Sequence, residues 1–123
     1  MVGFENLRTW QTAHDLMNQI HLITKNLPTE EKFRMKNQIE RSSAAVGANI
    51  AEGYCSYYYK DKIKSFYVSR KESGETQNHI RALESKSYIS TESCEKLLSL
   101  YENLIRSINA YINFLRRKDR LTG

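Results

Sequence analysis

Apolar residues recur at helical spacings of three and four along four long stretches of this chain, least regularly in the third, which indicates α-helices with buried faces. The stretches cover residues 7–27, 30–54, 61–86 and 91–117. The connections between them are short, which favours antiparallel neighbours. One proline and five glycines in 123 residues are too few for a turn-rich all-β fold. We therefore predict an all-α, antiparallel up-down-up-down four-helix bundle that forms one domain over residues 1–123.

The fourth stretch has the clearest pattern, and the third has the least clear one. The apolar stripe of the fourth consists of Leu97, Tyr101, Leu104, Ile108, Ile112 and Leu115. The apolar residues of the third stretch do not fall on one narrow stripe, so we expect that helix to bury two faces. One face would pack within the bundle and the other against a neighbouring subunit, which predicts a homo-oligomer.

Nothing in the sequence predicts export or a membrane span. The longest charge-free run, residues 42–51, is about half as long as a membrane-spanning helix needs to be. The N-terminal residues show no basic region followed by an apolar one, so no secretory signal is visible. We therefore expect a cytoplasmic protein with no membrane partner. Cys55 and Cys94 would lie at opposite ends of the bundle, which predicts two free thiols.

Glu72, Glu75 and His79 lie at spacings of three and four, so they share one face of the third helix. Such a cluster in a four-helix bundle leaves a metal-dependent hydrolase open as an alternative function. A di-metal centre of that kind uses a Glu-x-x-His motif from each of two helices, and this chain contains none. The other interpretation is that both glutamates pair with a neighbouring Lys or Arg.

The sequence also lacks the local motifs of common enzymes. There is no nucleophile elbow, no phosphate-binding glycine loop and no Cys-x-x-Cys pair. We therefore expect a protein that is not an enzyme and that has no metal and no cofactor.

The positive charge is concentrated in two parts of the chain, which has 19 Lys and Arg, 14 Asp and Glu and a formal net charge of +5. One part is a basic tail over residues 116–123. In the other, basic residues alternate with tyrosines between Tyr54 and Lys71, a pattern typical of surfaces that bind single-stranded nucleic acid. The candidate nucleic-acid-binding residues are Lys60, Lys62, Lys64, Arg70, Lys71, Arg116, Arg117, Lys118 and Arg120.

The same residues allow a plainer interpretation. The tyrosines between Tyr54 and Lys71 would cover the end of the bundle, and the lysines between them would be solvated. In that case the protein would be purely a protein–protein interaction module.

A set of polar residues lies beside the apolar stripe of the second helix. Arg41, Asn49 and Glu52 fall within about 80° of one another around its axis. A buried or interfacial polar group needs a partner. We therefore predict a structural polar network that fixes the register between helices or subunits, formed by Arg41, Asn49, Glu52, Glu72 and Glu75.

Three motifs that follow one another along the chain resemble those of a known family. They lie in residues 4–11 (FENLRTWQ), 41–53 (RSSAAVGANIAEG) and 71–76 (KESGET). They are similar to the opening, the central signature and the third-helix motif of the four-helix-bundle proteins encoded in intervening sequences of bacterial 23S ribosomal RNA genes. The resemblance extends over residues 4–115. Gly47 stands where many members have proline.

The resemblance carries implications about assembly and partners, because the family also includes the accessory variability protein of diversity-generating retroelements. It implies a ring-like homopentamer with a basic surface that binds nucleic acid, either RNA or single-stranded DNA. It also implies a reverse transcriptase as a partner. The function that follows is that of a non-enzymatic oligomeric adaptor.

Overall fold

Four helices account for most of residues 1–122, which are the residues that the computed structural model describes. Helix α1 spans Arg8–Thr24, α2 spans Asn37–Cys55, α3 spans Tyr59–Ser85 and α4 spans Thr91–Thr122. No strand occurs within residues 1–122, so the all-α prediction is confirmed. None of these helices is long and apolar enough to cross a membrane.

The beginning of α2 differs from the predicted one. The apolar pattern predicts a start upstream of Asn37, but a 3-10 turn at Thr29–Glu31 and a π-helical turn at Lys32–Lys36 occupy that part of the chain. Glu31 is held in the bundle because the Tyr88 hydroxyl donates to its carboxylate at 2.8 Å. The prediction of a regular helix there is wrong. The spacing of apolar residues does not reveal a contact such as this one, between the α1–α2 loop and the α3–α4 loop.

The end of α4 also differs, because the helix continues to Thr122 instead of ending at Arg117. The predicted basic tail is therefore helical over residues 116–122, and its last residue, Gly123, lies outside the described residues. Cations suit this end of a helix, since the last carbonyl groups carry a partial negative charge.

The bundle places α3 between α2 and α4, and α1 packs on α2 and α4. Neighbouring helices run antiparallel, because the start of one helix contacts the later part of the next one around the bundle. Thr9, near the start of α1, shares a hydrogen bond of 2.7 Å with Ser107 in the second half of α4. Thr24, at the end of α1, donates to Glu40 near the start of α2 at 2.7 Å.

All four helices contribute apolar side chains to one core. Its largest fully buried side chains include Leu16, Ile20, Ile39, Ile50, Phe66, Ile80, Leu83, Tyr101, Leu104 and Ile108. The predicted stripe of the fourth helix is buried along its whole length, from Leu97 to Leu115.

Both buried faces of α3 are used within one protomer. On the α2 side, the hydroxyl groups of Ser42 and Thr76 are hydrogen-bonded at 2.8 Å. On the α4 side, Arg70 donates to Asn109 at 2.8 Å. The two-sided pattern of α3 therefore has an explanation that needs no second subunit, and the homo-oligomer stays a prediction.

The backbones of α2 and α3 approach closely near the end of α2. A Cβ atom on Gly53 would lie 2.8 Å from the ring of Phe66, a distance at which something would have to move. The Ser69 hydroxyl donates to the carbonyl of Val46 at 2.9 Å across the same interface. The small residues of α2 permit this close packing, and it fixes the position of the first half of α3.

The two cysteines are free thiols, as predicted. Cys55 is exposed at the end of α2, and Cys94 is buried near the start of α4. Burial raises the pKa of the Cys94 thiol, so this thiol is less reactive than an exposed one.

Candidate nucleic-acid interface

The antiparallel packing brings the two basic parts of the chain to the same end of the bundle. The first half of α3 runs beside the second half of α4, because Arg70 contacts Asn109 and Tyr67 contacts Arg116. We call residues 60–71 of α3 together with residues 116–120 of α4 the basic end. Eight of its nine candidate cations are exposed: Lys60, Lys64, Arg70, Lys71, Arg116, Arg117, Lys118 and Arg120.

Tyr67 is the point at which the two halves of the basic end meet. The guanidinium carbon of Arg70 lies 4.7 Å from the centre of the Tyr67 ring. On the other side, an Nη atom of Arg116 donates to the Tyr67 hydroxyl at 2.9 Å. Arg70 also donates to the side-chain oxygen of Asn109 at 2.8 Å. Tyr67 therefore contacts both guanidinium groups, and Asn109 adds a second contact to Arg70.

Lys62 differs from the other predicted binding residues. Its ammonium group donates to the carbonyl of Tyr54 at 2.8 Å and lies 3.5 Å from the carbonyl of Gly53. These carbonyls belong to the last turn of α2, where a cation is stabilising. The structure therefore uses Lys62 to join the end of α2 to the start of α3 and leaves it only partly exposed.

The exposed cations of the basic end point in more than one direction. Lys60, Lys64 and Lys71 are separated by four and seven residues, so they form one outward stripe on α3. Arg116 is on the side of α4 that contacts α3. Lys118 lies 5.6 Å from the centre of the Phe114 ring and is two residues further along α4, which turns it away from Arg116.

Two exposed tyrosines adjoin the cations. Tyr57 is 86% exposed and Tyr58 is 68% exposed, and their rings meet edge to face with centres 5.0 Å apart. They line an open cleft of about 600 Å³ with Lys60, Asp61 and Asp119 among the other lining residues. The aromatic surface is available for stacking, whereas the two carboxylates of the cleft weaken its attraction for a polyanion.

The predicted polar network divides into two parts. Arg41 donates to Glu72 at 3.1 Å and to Glu75 at 2.5 Å, so one guanidinium joins α2 to two carboxylates of α3. Asn49 instead donates to the carbonyl of Ala45 on its own helix at 2.8 Å. Glu52 is exposed, and within residues 1–122 its carboxylate accepts no side-chain hydrogen bond and forms no ion pair. The structure therefore does not bring Asn49 and Glu52 together with Arg41.

The carboxyl groups of Glu72 and Glu75 affect each other's protonation. Burial, together with the nearby Glu75, raises the pKa of Glu72. A hydrogen bond from Glu72, with Arg41 nearby, lowers the pKa of Glu75. Glu72 therefore keeps a proton more readily than Glu75, which stays ionised against Arg41.

This geometry bears on the metal-dependent hydrolase alternative. The Arg41 guanidinium occupies the space between the two glutamates, and His79 lies 3.6 Å from Glu75. Within residues 1–122, the only three candidate ligand atoms that lie within 4.8 Å of one another belong to Glu84, Cys94 and Glu95. Arg81 donates to both glutamates of that trio at 2.9 Å, so a guanidinium again takes the place where a cation would bind.

One residue of the interface could not be found from the sequence. Asn109 anchors Arg70 but belongs to no basic or aromatic run. Nothing in the local pattern distinguishes it from other polar residues of α4, such as Asn103 or Asn113. Only the packing of α4 against α3 identifies it.

Comparison with known proteins agrees with this fold. The family model for 23S rRNA-intervening sequence proteins matches residues 5–110, which is most of the chain. The chain belongs to this family. The family match includes the basic residues of α3 and ends before those of α4 at residues 116–120.

Six chains among the solved structures match the protein. One is the crystal structure of a protein of unknown function from the S23 ribosomal protein family of Bacteroides thetaiotaomicron. It is 26% identical, the match covers 85% of this chain and 95% of that chain, and the TM-score is 0.79. No curated protein matches the chain. These comparisons support the helical fold of this member of the 23S rRNA-intervening sequence protein family. They name no ligand for it.

Proposed function

We propose that this member of the family is a non-enzymatic, oligomeric adaptor of the cytoplasm that binds RNA or single-stranded DNA through its basic end. The observation that supports the proposal is the packing of two basic segments, distant in sequence, beside the exposed rings of Tyr57 and Tyr58. Lysine and arginine contact phosphates without regard to sequence. Exposed tyrosines stack on unpaired bases, with about 1–3 kcal/mol per base.

The adaptor is expected to need more than one copy. One protomer offers few phosphate contacts, so its affinity for a nucleic acid should be low at physiological salt. Several basic ends on one assembly would bind the same strand together, and multivalency of this kind raises affinity by about 10²–10⁴. A homopentamer fits this requirement. The reverse transcriptase is proposed as a partner of the same assembly, and co-purification after co-expression tests that part.

The experiment is a salt titration of binding to a fluorescent oligonucleotide of mixed sequence, in RNA and single-stranded DNA forms. The logarithm of the affinity should fall linearly with the logarithm of the salt concentration between about 50 and 200 mM, because binding releases condensed counterions. The test variant replaces four cations of α4 with glutamine: Arg116, Arg117, Lys118 and Arg120. Its slope should be clearly less steep than that of the parent.

A control variant with the same change in charge removes four exposed cations from the rest of the molecule: Lys25, Lys32, Arg34 and Lys96. If it weakens binding as much as the test variant does, the effect is one of total charge and the basic end has no special role. If the parent does not bind either oligonucleotide at about 50 mM salt, the nucleic-acid function is wrong. The alternative function, a protein–protein interaction module, is then the better explanation of the exposed basic and aromatic residues.

A further inference from the structure

Arg70 and Arg116 are held in place by neutral groups. Arg70 donates to the amide oxygen of Asn109 and lies over the ring of Tyr67. Arg116 donates to the hydroxyl of the same Tyr67. Both arginines are exposed, and within residues 1–122 neither forms an ion pair with a carboxylate. Their anchors therefore fix the side chains without neutralising the charges.

Two other anchored arginines of the bundle are held by carboxylates. Arg41 pairs with Glu72 and Glu75 of α3, and Arg81 pairs with Glu84 and Glu95. These guanidinium groups join helices, and their charge is already compensated. An anion gains little from approaching them, because the carboxylates repel it.

We propose that Arg70 and Arg116 form a paired site for phosphate oxyanions, with Tyr67 and Asn109 as positioning residues. A guanidinium has five N–H donors, and the contacts described here use one on each arginine. The remaining donors can bind two oxygens of a phosphate side by side. The nucleic-acid source of that phosphate rests on the proposed function. Free polyphosphate offers the same chemistry and is the other source to be tested.

The anchoring explains why these two cations should contribute more than their neighbours. A free arginine or lysine loses rotamer freedom when it binds a ligand, and this loss opposes binding. Arg70 and Arg116 already make anchoring contacts in the folded protein, which limit that freedom before a ligand binds. Lys118, whose ammonium rests only near the Phe114 ring at 5.6 Å from its centre, should contribute mainly through its charge.

The first experiment compares the double variant Arg70→Gln/Arg116→Gln with a control of equal charge, Arg34→Gln/Arg106→Gln. Arg106 is an exposed residue of α4 held by the neutral Asn103 at 2.8 Å, so the control also removes one arginine that a neutral group anchors. With a single-stranded oligonucleotide of mixed sequence, the test variant should lose at least about tenfold in affinity, and its salt slope should fall by about 1.4, or 0.7 for each lost contact. The control should lose much less.

The second experiment separates positioning from charge. Tyr67→Phe keeps the ring beneath Arg70 and removes the oxygen to which Arg116 donates. The affinity should fall about threefold to tenfold, because the released Arg116 side chain must then be ordered on binding. The salt slope should stay unchanged because no charge is lost. Tyr111→Phe is the control, since Tyr111 lies outside the basic end, packs on Phe66 and, within residues 1–122, has no arginine hydrogen-bonded to its hydroxyl. An affinity of Tyr67→Phe equal to that of the parent would mean that Tyr67 positions nothing.

The probes distinguish this site from the proposed function. If the oligonucleotide binds but the double variant behaves like its control, the paired site is wrong and the adaptor function stands. If inorganic tripolyphosphate binds in a way that needs both arginines and no oligonucleotide binds, the site is right and the adaptor function is wrong. If neither probe binds, both are wrong. Helical content measured by circular dichroism shows whether each variant is folded.

Discussion

The polar atoms of individual side chains in this bundle differ in whether they find a partner. The Tyr88 hydroxyl donates to Glu31 at 2.8 Å. The Tyr101 hydroxyl lies in the core, where the side chain is 0% exposed, and within residues 1–122 it has no hydrogen-bond partner. Burial raises the pKa of Tyr101, so the group stays neutral. A buried hydroxyl without a partner costs stability.

Tyr101→Phe is therefore expected to stabilise the protein. The change removes the unpaired hydroxyl and keeps the ring, so the free energy of unfolding should rise by about 1 kcal/mol. Urea denaturation followed by circular dichroism measures this. Tyr88→Phe is the matched control and should lower the same free energy, because it removes a hydrogen bond to the buried carboxylate of Glu31. A loss of stability in Tyr101→Phe would contradict the prediction.

The carboxyl pair beside Arg41 predicts a dependence of stability on pH. The raised pKa of Glu72 means that the folded protein holds this proton more tightly than the unfolded chain does. The stabilisation is complete below the ordinary value of 4.5 and is lost as the pH rises through the higher value of the folded state. Glu72→Gln has no proton to lose there. In urea denaturation across a pH series, the decline above about pH 4.5 should be present in the parent and absent in Glu72→Gln.

Glu75 provides the control with the opposite sign. Its lowered pKa contributes stability that is complete above the ordinary value of 4.5 and is lost as the pH falls through the lower value of the folded state. Glu75→Gln should therefore lose part of the acid sensitivity and keep a decline at higher pH, since burial still acts on Glu72. If the stability of the two variants depends on pH in the same way, Glu72 is not the residue that holds the proton.

The helices themselves were largely predictable from the sequence, whereas their ends were not. The stripe from Leu97 to Leu115 predicts α4 because the same residues that set the period are the ones buried. The π-helical turn at Lys32–Lys36 was not predictable, since it adjoins Glu31, whose position depends on Tyr88 in another connection. Local patterns report local structure and are silent about such contacts.

The turn between α3 and α4 contains a residue with an unusual backbone conformation. Ser87 has a φ of 61°, in the left-handed region that favours glycine. The N–H of Tyr88 donates to the carbonyl of Leu83 at 2.9 Å and closes the turn, which is the Schellman arrangement at a helix end. A serine at this position carries a steric cost that the rest of the turn must offset.

Ser87→Gly is expected to remove that cost and to raise the free energy of unfolding by about 1 kcal/mol. Thermal unfolding by calorimetry measures the change. Ser85→Gly is the matched control two residues upstream, at the end of α3, where glycine should destabilise by up to about 0.5 kcal/mol. Equal effects of the two changes would show that the left-handed backbone at residue 87 is not the cause.

The sequence predicts the residues of the candidate site, and the fold brings them together as one interface. The alternation of tyrosines and cations indicated Arg70, and the tail indicated Arg116, but no local pattern predicts that both contact Tyr67. Asn109 could not be predicted at all. Lys62 belongs to the same run of tyrosines and cations, but its ammonium group donates to a carbonyl at the end of α2. Which basic residues stay free depends on antiparallel packing.

The expected affinity for nucleic acid depends on the predicted homo-oligomer, because several basic ends must bind one strand together. The chain has a mass of 14.4 kDa, and a homopentamer has five times that mass. Light scattering coupled to size exclusion at micromolar concentration should give the larger value. A mass of 14.4 kDa would contradict the oligomer. The multivalent enhancement of binding would then be lost, although a single basic end could still bind weakly.

The position of α3 between α2 and α4 also has a consequence for how the bundle opens. α1 makes the fewest contacts with the other helices, and its contact with α4 joins opposite ends of the chain. Segments with few tertiary contacts detach at a lower free energy than the molecule as a whole. Backbone amides of α1 should therefore exchange with deuterium sooner than those at the centre of α3. The apolar residues of α2 and α4 that α1 covers would become accessible for a fraction of the time, while the basic end stays intact on the α3–α4 pair.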